Sequence, residues 1–110
     1  MTELTAHADF VQHAVDSGHA LSVVYDLATR PSGDPYDLND SKNVDEIIEH
    51  IEAVYTAYVY LTIDGQRAWA MVIPFDVSDH ETVADWGGSG KARAFVDAWF
   101  NDYFERTKDV

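Results

Sequence analysis

Residues Thr56 to Phe75 read TAYVYLTIDGQRAWAMVIPF, and the pair at the middle of that stretch, Asp64-Gly65, decides how the rest is read. Asp-Gly between two alternating apolar runs is the strongest short-range signal for a β-hairpin, because a type I′ turn needs positive φ at both central residues. A two-residue loop then sets the register. Ile63 faces Gln66, Leu61 faces Ala68, Val59 faces Ala70 and Ala57 faces Val72 on one side. Thr62 with Arg67, Tyr60 with Trp69, Tyr58 with Met71 and Thr56 with Ile73 share the other. Both faces carry apolar side chains, so one needs helices over it and the other needs either cover or a partner.

Immediately upstream, Asn43 stands three residues before Glu46 in a capping-box arrangement, and Val44, Ile47, Ile48, Ile51, Val54 and Tyr55 follow at helical spacing. This predicts a helix over 43–55. Residues 28–42, ATRPSGDPYDLNDSK, hold Pro31, Gly33 and Pro35 without either period and are expected to form a long loop. Residues 21–27 alternate Leu21, Val23, Tyr25 and Leu27 against Ser22, Val24 and Asp26, the pattern of a strand that joins the hairpin. The N-terminal segment from Thr2 to Ser17 is expected to be helical on a stripe of Leu4, Ala8, Val11 and Val15, with Gly18 ending it.

Downstream, Pro74 ends the last hairpin strand. Ser78-Asp79-His80-Glu81 reads as a capping box for a short helix that runs to about Trp86 and is broken by Gly87-Gly88-Ser89-Gly90. A long helix over 91–107 then gathers Ala92, Phe95, Val96, Trp99, Phe100 and Tyr103 on one stripe, with Phe104 at its edge. The expected fold is a single α+β domain over 1–110. Its sheet has three strands, the hairpin of 56–75 and the strand 21–27, and is packed by the N-terminal, central and C-terminal helices.

With 46% hydrophobic and 13% aromatic residues in 110, the chain is expected to bury a core. It has no cysteine, hence no disulfide and no thiolate chemistry. MTELTAHADF lacks the basic and apolar regions of a signal peptide, and no apolar run nears the length of a membrane span, so a soluble, cytoplasmic protein is expected. The unusual quantity is charge: 20 acids against 7 bases give −13. Such a field disfavours direct contact with nucleic acid or an anionic membrane and favours a basic partner.

Two stretches approach known site motifs and fail on specific positions. GGSGKA at Gly87 to Ala92 has Asp85 where a phosphate-binding loop needs glycine, and Ala92 where it needs Ser or Thr. Asp37 to Asp45 alternates oxygen-bearing side chains like a calcium-binding EF-hand loop, yet Lys42 stands where glycine is required and Ile48 where the bidentate Glu is required. The five histidines show no metal-ligand spacing. No catalytic residue, metal ligand or cofactor is therefore expected, and the chain is read as non-enzymatic.

Acid is concentrated in the middle of the chain. Between Asp34 and Glu52, seven carboxylates (Asp34, Asp37, Asp40, Asp45, Glu46, Glu49, Glu52) stand against Lys42, a net of −6. The expected contact joins these seven to an aromatic anchor of Tyr58, Tyr60 and Trp69 on the hairpin. In size and charge the chain is similar to the small acidic inhibitors that phages and plasmids direct at host nucleases or CRISPR complexes. That resemblance implies nucleic-acid mimicry, with the basic surface of a nuclease or another nucleic-acid-binding protein as the partner. Two alternatives share the composition: a salt-adapted cytoplasmic domain whose acids serve solvation, and an immunity-type inhibitor of a basic toxin.

Overall fold

A computed structural model describes residues 5–25, 38–74 and 82–107. Its elements run α1 (Ala6–Asp16), β1 (Leu21–Tyr25), β2 (Leu38–Ser41), α2 (Val44–Glu52), β3 (Ala57–Ile63), β4 (Gln66–Val72), β5 (Val83–Gly88) and α3 (Gly90–Thr107). The class is α+β: among the described residues there is one antiparallel sheet in the order β2-β1-β3-β4-β5, with three helices beside it.

The hairpin has the register expected of it, Ala57 opposite Val72 through to Ile63 opposite Gln66. Asp64 and Gly65 both take positive φ, 51° and 79°, which is why the turn closes in two residues. Ala57, Val59, Leu61, Ala68, Ala70 and Val72 are buried on the inner face. There they meet Phe10 and Val11 of α1, Ile47 and Ile51 of α2, and Val96, Trp99 and Tyr103 of α3 in one apolar cluster. All three helices thus lie in a single layer.

Among the described residues the sheet has five strands where three were expected. The part of 28–42 read as loop includes β2, held to β1 across an irregularity in which Ser22 alone answers both Asn39 and Asp40. The Ser22 hydroxyl accepts from the Asp40 amide at 3.0 Å and donates to the Asn39 side chain, and Asp40 sits at φ 46°. A four-residue bulged strand carries no alternation, so composition alone mimics a turn.

The short helix expected to end near Trp86 is replaced by β5, while its capping box and the rest of 75–81 lie outside the described residues. Val72 pairs with Val83 and Met71 with Asp85, which leaves Ala84 without an opposite number. That extra residue puts Val83 and Trp86, three apart, on the same inner face. A bulge thereby imitates helical spacing.

Both flanking helices are shorter than expected. Thr5 caps α1, its hydroxyl accepting from the Ala8 amide, and the buried face is Ala6, His7, Phe10, Val11 and Ala14; Ala8 and Val15 of the expected stripe sit at its margin. Leu4 lies outside the described residues. Asn43 caps α2 as expected, accepting from the Glu46 amide at 3.1 Å. The helix ends at Glu52, so Tyr55 leaves the stripe and is 82% exposed. Among the described residues no helix is long and apolar enough to cross a membrane.

Candidate interaction surface

The expected site divides between two sides of the molecule. Ile47 and Ile51 turn α2 toward the sheet, which sends Asp45, Glu46, Glu49 and Glu52 outward from the helical layer. Tyr58, Tyr60 and Trp69 alternate with the buried hairpin residues, so they lie half-buried on the opposite face of the sheet. A flat partner cannot touch both sets at once. Period explains it: a helix packing on the inner face and a side chain pointing from the outer face are separated by the sheet itself. Asp40 belongs with the aromatic side, through its bond with Ser22 opposite Tyr60, and Asp34 and Asp37 lie outside the described residues.

The four carboxylates of α2 do different work. The Ser41 hydroxyl donates to Glu46 at 3.0 Å while accepting from the Asn43 amide, so Glu46 steadies the entry of the helix. Glu52 lies 2.9 Å from His7 Nε2, and the His7 side chain is only 1% exposed. This ties α2 to α1 and takes Glu52 out of the free set. Among the described residues the Asp45 and Glu49 side chains make no ion pair or hydrogen bond. One turn apart on an exposed face, these two are the carboxylates most open to a cation in trans.

Elsewhere, three bases are paired within the fold. Lys91 Nζ donates to Asp64 at 2.6 Å, pinning the hairpin turn to the start of α3. Arg93 pairs with Asp97, and Arg106 pairs with both Asp9 and Asp102. Asp9 also accepts from the Trp99 indole at 3.1 Å. The hydrogen bonds that Arg106 donates to Asp9, and then to Asp102, hold its pKa above the ordinary value. The Trp86 indole, donating at 2.7 Å, and then Arg93 hold the Asp97 carboxyl below its usual 3.8.

The glycine-rich segment begins inside β5, where Gly87 and Gly88 pair with Trp69 and Ala68, and its geometry is not that of an anion cradle. The Gln66 side chain occupies the start of α3, accepting from the Lys91 amide at 2.7 Å. A Cβ on Gly90 would collide with that same side chain. Gly87 has a different reason: Trp69 lies over it, and an added Cβ would come 2.8 Å from the indole. In the stretch that imitates a calcium loop, Ser41 and Asn43 are committed to capping. Among the described residues no group of three or more His, Asp or Glu is placed to hold a metal ion.

Sequence reasoning missed His7, which is buried, and the Tyr25 hydroxyl within 2.7 Å of His50 Nδ1. The helix periodicity was the available signal for His7, since it falls four residues before Val11 and seven before Ala14. His13 and His19 instead flank the Phe95 ring at 5.0 and 4.9 Å, and His80 lies outside the described residues. No family model, curated protein or solved structure matches this chain.

Proposed function

We propose that this chain is a small acidic, non-enzymatic binding protein that occupies a basic surface of another protein, of the kind that binds nucleic acid. The observation that carries the reading is a contrast among the described residues: Asp45 and Glu49 of α2 face outward without an internal cation, while Lys91, Arg93 and Arg106 are paired within the fold. Their separation of one helical turn, a rise of about 6 Å, lets them stand in for successive backbone phosphates. At −13, the chain repels nucleic acid and draws in a basic protein. Contact through the helical layer replaces the single combined site expected from the sequence.

The test is capture from a nuclease-treated lysate of the native host, with the wild type and an Asp45→Lys/Glu49→Lys variant as baits. The reading expects a basic, nucleic-acid-binding protein on the wild type that elutes as salt rises and is absent from the variant. Identical captured proteins on both baits would reject this surface. Capture of a basic secreted toxin in place of a nucleic-acid-binding protein would select the immunity-type reading.

A further inference from the structure

The hairpin tip brings an exposed side-chain carboxyl next to an uncovered peptide nitrogen. Of all the aspartates and asparagines in the chain, Asp64 alone precedes a glycine. The Asp64 side chain is 66% exposed, and a Cβ built on Gly65 would meet no atom within 4 Å. Among the described residues the Gly65 amide donates no hydrogen bond, because the two-residue turn closes through the Ile63–Gln66 pair on either side of it.

We infer that the Asp64–Gly65 bond is a site of spontaneous covalent modification, the conversion of an aspartyl into an isoaspartyl linkage. Through the protonated form of the Asp64 carboxyl, the Gly65 nitrogen attacks Cγ. A new N–Cγ bond forms, and one carboxyl oxygen leaves as water with the amide hydrogen. The product is a five-membered cyclic imide. Water then adds at the main-chain carbonyl carbon of Asp64 and breaks its bond to nitrogen, so the chain continues through Cβ and Cγ. The water lost is regained, and nothing is oxidised or reduced. Glycine at 65 leaves the attacking nitrogen uncrowded.

The fold sets the rate. Asp64 sits at φ 51°, in the left-handed region, and the ring closes when the peptide plane after it turns out of the I′ geometry. The tip must therefore open locally. Two contacts with α3 resist that: Lys91 Nζ on the Asp64 carboxylate at 2.6 Å, and the Gln66 side chain on the Lys91 amide at 2.7 Å. The first also commits Asp64 Oδ2 to the ammonium. With its partners 70% and 66% exposed it is a weak latch, which slows the reaction without stopping it. Lys91 is thus a positioning residue, acting through Asp64.

The test is incubation of the pure protein for some weeks at neutral pH and physiological temperature, with isoaspartate located by peptide mapping and mass spectrometry. The native wild type should accumulate it at Asp64 ahead of every other aspartate, though more slowly than the same chain in urea. Lys91→Ala should convert several-fold faster than the wild type in the native state, and Lys91→Arg should restore the slow rate. In urea all three should convert alike, which assigns the difference to the folded tip. A native wild type free of isoaspartate at Asp64 when the urea-unfolded chain has converted overturns the proposal. Equal native rates for the wild type and Lys91→Ala overturn the latch.

Discussion

Glu52 shows how one residue can be miscast by composition. It belongs by sequence to an acidic cluster, yet its carboxylate meets Nε2 of a histidine that is 1% exposed. The other ring nitrogen of His7 is buried with no partner among the described residues, so the ring depends on Glu52 for the polar contact it keeps across elements. Glu52→Ala should therefore destabilise the fold by about 1–3 kcal/mol, where an equivalent change at Glu49 should cost under about 0.5. Urea denaturation of the two variants makes the comparison. Asp97 gives a second test, in pH. Its pKa is depressed by the Trp86 indole first and Arg93 after it, so the carboxylate stabilises the fold at neutral pH and loses that contribution as pH falls through its lowered value. The stability gap between the wild type and Trp86→Phe should accordingly be full at neutral pH and narrow below pH 3.8, the ordinary carboxyl value. A gap that widens in acid would contradict the sign.

At the scale of elements, α3 carries the core. Trp99 is 2% exposed, stacks on Tyr103 at 5.4 Å, meets Phe10 edge-on at 5.0 Å, and donates to Asp9. Trp99→Ala should cost about 3–5 kcal/mol, measured by chemical denaturation, because the cavity opens where α1, α3 and the sheet converge. A loss below about 1 kcal/mol would mean that the stripe does not hold the layers together. What was legible in the residues follows the strength of local rules. Asp64-Gly65 carried the hairpin to its register, and the α3 stripe survived because apolar residues recur over its whole length. The two edge strands were illegible for one shared reason: each is bulged, so Val83 and Trp86 recur at three, and Leu38 to Ser41 do not alternate at all. The candidate site was half legible. Its residue types were readable, but the side of the sheet on which α2 packs depends on tertiary contacts, and that placement separates Asp45 and Glu49 from Tyr58, Tyr60 and Trp69.

At the scale of the whole molecule, charge governs the proposed contact. A basic partner drawn in by the outward carboxylates of the helical layer should bind more weakly as salt rises. Folding itself should not need molar salt, since the apolar cluster spans all three helices and four of the five strands. A cooperative thermal transition in dilute buffer, raised modestly by added salt, is the expected result. Cooperative melting only in molar salt would support the salt-adapted reading. The most direct measurement is the association rate between the captured basic partner and this protein across ionic strength, by stopped flow, for the wild type and Asp45→Lys/Glu49→Lys. The wild-type rate should fall steeply with salt, and the variant should be slower by roughly tenfold or more at low salt with a much flatter slope. Equal rates and equal salt slopes for the two proteins would contradict a contact through Asp45 and Glu49.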